Sequence, residues 1–170
     1  MIRRAAAEES RFITSTATLV YAELGDYSKI LPGWMAHPGV LAFVEADDAA
    51  PERPRGFILI GFYTGWVDAK PAPAGELVAD LLAIAVAPEH QKRGIGGRLL
   101  EFAIDFASEA AARAPVREMR LTVADTNLVA QKLFRDHGFE ILDAHHGEYD
   151  GGQRAIRMRR KIVPAAAAVD

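Results

Sequence analysis

The sequence predicts an α/β fold (α+β in some schemes) of about seven strands and about four helices, and three observations carry that expectation. Short β-branched and aromatic runs with the alternation of strands are interleaved with longer amphipathic runs of helical period. An apolar strand-like run, a glycine-rich loop and an amphipathic helix follow one another without a break across residues 77–112. Half of the 170 residues are hydrophobic and a quarter are charged, enough apolar surface for one core and too little length for two.

Residues 2–6 read as a first strand and 8–24 as a helix. A second, irregular helix is expected over 27–35, interrupted near Pro32 and Gly33 because proline removes a helical N–H. Residues 40–45 are rich in β-formers, Asp47-Asp48-Ala49-Ala50-Pro51 reads as a turn, and 56–66 as a long strand with aromatic ends. A proline-rich stretch, 69–75, leads to a strand over 77–86. In the helix over 96–112, Leu99, Leu100, Ala103, Ala107 and Ala110 make one apolar stripe, opposite Arg98, Glu101, Asp105 and Glu109. Met119, Leu121 and Val123 alternate with Arg120 and Thr122, a strand with one buried face. Asp125-Thr126-Asn127 caps a helix carrying Leu128, Val129, Leu133 and Phe134, and Gly138 ends it in the left-handed conformation that glycine tolerates. Residues 140–145 and 155–161 form a closing hairpin about Asp150-Gly151-Gly152. The expected organisation is one domain over 1–163, with 164–170 a disordered tail lacking any periodic apolar face.

Composition closes several function classes. A formal net charge of −3 gives no basic face for nucleic acid, and no apolar stretch reaches membrane-spanning length, so neither partner is expected. The start Met1-Ile2-Arg3-Arg4 runs into alanine and glutamate rather than a signal-peptide core, and the expected location is cytoplasmic. Without cysteine there is no disulfide, thiolate metal site or thiol nucleophile. His145 and His146 are adjacent and point to opposite faces of a strand, while His37, His90 and His137 are solitary, so no metal is expected.

The segment Gln91-Lys92-Arg93-Gly94-Ile95-Gly96-Gly97-Arg98 is the most informative. Its glycines let main-chain N–H groups approach an anion, the helix that follows adds the partial positive charge of its N-terminus, and Lys92, Arg93 and Arg98 add full charges. It is a phosphate cradle, set against the plain reading of a glycine-rich turn. A nucleoside-triphosphate loop would end in Gly-Lys-Ser/Thr, and a dinucleotide fingerprint needs Gly or Ala where Leu99 stands.

This segment resembles the Q/R-x-x-G-x-G/A acyl-CoA signature of the GNAT superfamily of N-acyltransferases, in its usual place after the strand ending Ala85-Val86-Ala87-Pro88. The order of elements is also that of the superfamily, so the resemblance covers nearly the whole chain. It implies a mixed, mostly antiparallel GNAT-like sheet and an acetyl-CoA-dependent N-acetyltransferase acting on a primary amine by direct transfer through a ternary complex. Acetyl-CoA is then the acyl donor, no metal takes part, and a homodimer is left open. The alternative is a non-catalytic acyl-CoA-binding sensor or partner subunit.

The resemblance also implies roles. The main chain of Ile84, Ala85 and Val86, splayed from the 119–123 strand, would bind pantetheine, with the Val86 N–H near the thioester oxygen. Asn127, an N-cap in its own right, would be a second contact to CoA. Ribosomal-protein acetyltransferases of the superfamily carry a glutamate base five residues before this asparagine, where Thr122 stands here. Histone-type relatives use a carboxylate on the strand before the cradle, which points to Asp80, with Glu76 a weaker candidate; the plain alternative is a solvated aspartate at a strand's irregular start. The acid of the family is a tyrosine seven residues after the asparagine, and this chain has Phe134, which can pack against pantetheine but has no proton to give. Tyr149, before the Gly151-Gly152 turn, is the candidate acid and acceptor contact, or else an aromatic covering the core edge. Trp34 is a candidate acceptor-site wall; Tyr27, Tyr63 and Trp66 read as core or pocket walls. Residues 147–158, GEYDGGQRAIRM, resemble the C-terminal end of the ribosomal-protein alanine acetyltransferase branch, which favours a protein N-terminus as acceptor. Loss of that branch's glutamate and tyrosine favours a small amine.

Overall fold

A computed structural model describes residues 1–64, 66–67, 70–71 and 75–166. Its elements are β1 (Ile2–Arg4), α1 (Ser10–Val20), α2 (Tyr27–Ala36), β2 (Val40–Asp47), β3 (Ala50–Tyr63), the two-residue strands β4 (Trp66–Val67) and β5 (Lys70–Pro71), β6 (Leu77–Val86), α3 (Ile95–Ala111), β7 (Val116–Ala124), α4 (Leu128–Asp136), β8 (Glu140–Glu148) and β9 (Arg154–Lys161). Seven strands make one sheet in the order β1-β2-β3-β6-β7-β9-β8, and β4 pairs with β5 alone. Every pair in the large sheet is antiparallel except β6 with β7, which are joined by the crossover helix α3. The expected mixed sheet with four helices is therefore present.

Two cores cover the two faces. On one, Leu99, Leu100, Ala103 and Ala107 of α3 pack with Ile58, Ile60, Leu81, Met119 and Leu121, and Phe134 of α4 joins them. On the other, Ile13 and Ala17 of α1 and Tyr27 and Leu31 of α2 pack with Val44, Phe57, Leu59, Ala83 and Ala85. Leu99 is fully buried, so its truncation to alanine costs about 2–5 kcal/mol.

Several boundaries differ from expectation. The helix expected over 8–24 is a short 3-10 turn, Ala7–Glu9, then α1, then a turn closed by Leu24 N–H on the Tyr21 carbonyl at 2.8 Å. Helix α2 is not interrupted: Pro32 lies inside it on an exposed face, where the helix forgoes the one N–H that proline lacks. Strand β3 begins at Ala50, inside the expected turn, and takes up Pro51 and Pro54 through register shifts opposite Ala46 and Asp47. Most of the proline-rich stretch 69–75, the side chain of Trp66 and residues 167–170 lie outside the described residues. Of the expected tail, Ala165 is tied by its N–H to the Ser108 carbonyl at 2.9 Å.

Candidate active site

Strands β6 and β7 pair in register only as far as Leu81 and Leu121, and beyond them they part. Strand β3 keeps its pairing with β6 to Val86, but with a bulge: Ile60 faces Leu81 and Leu59 faces Ala83, leaving Leu82 as the extra residue. The bulge changes the phase of the strand, so Leu81 belongs to the α3 core while Ala83 and Ala85 belong to the α1 and α2 core. A cavity fills the splay. Its walls are Leu81 to Ile84 on β6, Thr122 to Ala124 on β7, Asn127, Ala130 and Phe134 at α4, and Tyr21, Leu24, Tyr27 and Tyr149 on the opposite side.

The exposed edge of β6 is not uniformly open. The Ala87 N–H donates to the Arg55 carbonyl at 2.9 Å, so alternation turns the Ala85 main chain toward β3 and those of Ile84 and Val86 toward the splay. The Ile84 N–H donates to the Tyr21 hydroxyl at 3.0 Å, and that hydroxyl donates back to the Ile84 carbonyl at 2.5 Å. Of the three residues expected to offer main chain to a ligand, only Val86 has an N–H without an acceptor among the described residues; its carbonyl accepts Gln91 Nε2 at 3.1 Å.

Below Val86 runs the loop expected to cradle phosphate. Lys92 and Gly94 have positive φ, 60° and 75°, which turns successive N–H groups to one side, and α3 starts immediately after Gly94. Among the described residues, the N–H groups of residues 92–97 have no acceptor. The Ile95 side chain is buried, so this residue presents only its N–H. Exposed Lys92 and Arg93 make no ion pair among the described residues. Arg98 is otherwise engaged: Nη1 donates to the Arg93 carbonyl at 3.2 Å and Nη2 to Glu45 Oε1 at 2.8 Å, so it braces the loop.

At the closed end of the splay, Asp80 stands opposite Arg120 in the parallel ladder, one pair short of the parting. Its Oδ2 accepts Arg157 Nη2 at 3.0 Å, and Arg157 Nη1 donates to Thr122 Oγ1 at 3.2 Å. The two charged side chains are 18% and 19% exposed, and burial raises the Asp80 carboxyl above the usual aspartate value although Arg157 opposes the shift. The Tyr63 hydroxyl is raised by burial and by the Asp80 charge. Asp80 does not line the cavity itself; it reaches the wall through Arg157 and Thr122.

Asn127 caps α4, its Oδ1 accepting the Ala130 N–H at 3.1 Å, and also lines the cavity. Phe134 is buried edge-on to Phe139, with ring centroids 5.9 Å apart. Tyr149 is a wall residue whose hydroxyl is raised by burial and then by nearby Tyr27. Trp34 reaches the cavity only through Tyr27, whose ring it meets edge-on at 6.2 Å. The turn carrying Tyr149 is locked to the α1–α2 loop: the Gly151 N–H donates to the Leu24 carbonyl at 3.3 Å, and Gln153 Nε2 donates to the Glu23 carbonyl at 3.0 Å.

Tyr21, Glu45 and Arg157 carry no local signal, because their partners are 63, 53 and 77 positions away. Among the described residues, no group of three or more His, Asp or Glu side chains forms a metal site, and no helix is long and apolar enough to cross a membrane.

The acetyltransferase (GNAT) family model matches residues 11–139, more than half of the chain. No curated protein sequence matches it significantly. Among solved structures, Arabidopsis thaliana NAA60 in complex with a bisubstrate analogue is 15% identical with a TM-score of 0.75, over 95% of this chain and 98% of that one. The ribosomal-protein-S18-alanine N-acetyltransferase of Escherichia coli is 20% identical with a TM-score of 0.69, over 100% of this chain and 98% of that one. Naa20 of Chaetomium thermophilum, also in complex with a bisubstrate analogue, is 20% identical with a TM-score of 0.67, over 95% and 86%. At these identities the likeness is one of fold.

Proposed function

The chain belongs to the GNAT acetyltransferase family, and from that premise we propose that it transfers an acetyl group from acetyl-CoA directly to the primary amine of a protein N-terminus. The observation that carries this reading is the continuity of the splay with the cradle: the Val86 N–H and the N–H groups of residues 92–97 have no acceptor among the described residues and follow one another along a single ligand path. The cradle amides with Lys92 and Arg93 suit the CoA phosphates. The Val86 N–H suits the thioester oxygen, and Asn127 and Phe134 line the arm between.

Transfer needs the nitrogen lone pair to attack the thioester carbon, the amine to lose a proton, and the departing sulfur to gain one. Asp80 is our base. Its raised pKa brings it nearer the working range than an ordinary aspartate, and Arg157 links it to Thr122 on the cavity wall. Tyr149 is our acid: burial keeps its phenol protonated and it lines the cavity. Trp34, Tyr27 and Tyr149 would flank the acceptor. The 147–158 segment and the Escherichia coli relative named for a ribosomal-protein alanine favour a polypeptide acceptor.

Thiol release from acetyl-CoA, measured against N-terminal peptides, polyamines, amino acids and aminoglycosides, tests this. Release with peptides supports the proposal. Release with small amines alone moves the acceptor to that class, and CoA binding without release from any acceptor overturns transfer.

A further inference from the structure

With phosphates at the amides of residues 92–97 and a thioester oxygen at the Val86 N–H, the direction of the donor along β6 is fixed. The carbonyl points at the strand edge, so its other two substituents lie along the strand: sulfur toward the cradle, and the acyl chain onward to Ile84. The Ile84 main chain faces the same splay as that of Val86, one alternation further in. There the Tyr21 hydroxyl accepts the Ile84 N–H at 3.0 Å and donates to the Ile84 carbonyl at 2.5 Å. A strand advances about 3.3 Å per residue, so the Tyr21 oxygen stands about 6.6 Å beyond the thioester oxygen. Non-bonded carbon and oxygen approach to about 3.3 Å, which leaves about 3.3 Å past the carbonyl carbon. At about 1.5 Å per bond a methyl fits, a second carbon reaches the limit and a third does not.

On the reading of the chain as an acetyl-CoA-dependent transferase, we propose that Tyr21 sets the length of the acyl group: its hydroxyl ends the track along β6 and confines the donor to acetyl and, at the limit, propionyl. The stop is a fixed one. Two hydrogen bonds tie the hydroxyl to the strand, and the Tyr21 ring lies against that of Tyr27 with centroids 4.6 Å apart. A longer chain has two courses. It can break both bonds, which leaves main-chain groups of Ile84 unpaired, or it can turn aside toward Tyr27 and Tyr149, into the room the acceptor needs. Both slow transfer of the longer acyl groups and leave that of acetyl untouched.

The test measures kcat/KM by thiol release for acetyl-, propionyl-, butyryl- and hexanoyl-CoA, with whichever amine gives the fastest release from acetyl-CoA. In the wild type, butyryl-CoA and hexanoyl-CoA should each fall about tenfold or more below acetyl-CoA. Tyr21→Ala, which clears the track, should raise the butyryl-to-acetyl ratio about tenfold or more, whatever it does to the absolute rates. Should that variant not fold, Tyr21→Phe decides, since it removes only the terminal oxygen and should raise the propionyl-to-acetyl ratio. A merely structural tyrosine would lower all four donors by one factor, and unchanged ratios in the folded variant overturn the proposal. So does a wild type that uses hexanoyl-CoA as well as acetyl-CoA. No release from any of the four donors by the wild type overturns the transferase reading instead, and the length limit with it.

Discussion

Arg98 Nη2 is bonded to Glu45 Oε1 at 2.8 Å, which ties the first turn of the cradle helix to a strand 53 residues earlier. Glu45 is 2% exposed and is also held by Arg55, through Nε at 3.0 Å and Nη2 at 2.8 Å. A carboxylate can be buried this deeply because two guanidinium groups share it. Arg98 also holds the Arg93 carbonyl, so the charge at Glu45 bears on the shape of the loop.

Glu45→Gln leaves both arginines facing a neutral group. Since Arg98 remains half exposed, the loss of stability should be about 2–3 kcal/mol, at or just below the range for broken buried pairs, with weaker CoA binding alongside it. Burial alone would raise the Glu45 pKa, but Arg55 and Arg98 outweigh it and hold the carboxyl below its usual value. The stability from these pairs is therefore complete above the ordinary glutamate pKa and disappears as the pH falls through the lowered folded value. Melting temperature followed against pH should show this acid-side loss in the wild type and a flatter curve in Glu45→Gln.

Gly96 faces the cradle with room to spare. A Cβ there would meet only Leu133 Cδ2 at 3.8 Å and Val86 Cγ2 at 4.0 Å, ordinary contacts, so a side chain should not disturb the fold. Gly96→Asp puts a negative charge among the amides that would hold phosphate, and CoA binding should disappear while the melting temperature holds. Calorimetry showing undiminished affinity would remove the cradle from the site.

For Asp80, a base acts after the donor is bound, so Asp80→Asn should lower kcat by about 10²-fold or more and leave acetyl-CoA affinity nearly intact. Burial raises the Asp80 carboxyl, so the acid limb of the wild-type pH–rate profile should rise above the range of a free aspartate as the group ionises, and the variant should lack that limb. Identical profiles for the two proteins would exclude Asp80 as the base.

Proton delivery to sulfur separates two tyrosine positions. If Tyr149 is the acid, Tyr149→Phe should slow turnover by about 10²-fold or more, whereas Phe134→Tyr, which adds one hydroxyl to a buried ring, should change the rate little. A rate increase in Phe134→Tyr together with an indifferent Tyr149→Phe would show that the thiolate leaves without help. Thiol-release assays on both variants distinguish the cases.

The cradle was legible because its requirement is local. An anion needs bare N–H groups, bare N–H groups need glycine, and Gly94 and Gly96 stand four and two positions ahead of Arg98 in the sequence itself. The element order was legible for the same reason, since amphipathic period is a property of consecutive residues. What escaped was decided across the sheet. The splay was implied by the resemblance, but the phase of β6 turns on one extra residue at Leu82, and Tyr21 is an ordinary aromatic near the end of a helix until Ile84 arrives beside it. Arg98 carried the right charge for a phosphate, but the sequence held no record that Glu45 had already engaged it.

The contact between the Gly151 turn and the α1–α2 loop bears on redesign. A Cβ at Gly151 would run into the Glu23 carbonyl, and one at Gly25 would come within 3.2 Å of Asp150 Oδ2, so the two segments are fitted to each other with no slack. Tyr27 and Tyr149, which flank the cavity, are mounted on opposite sides of that seam. A chimera that imports either loop alone from a relative inherits half of a mated surface and loses the alignment of both tyrosines. Acceptor preference in this scaffold is accordingly a trait to be transplanted as a pair.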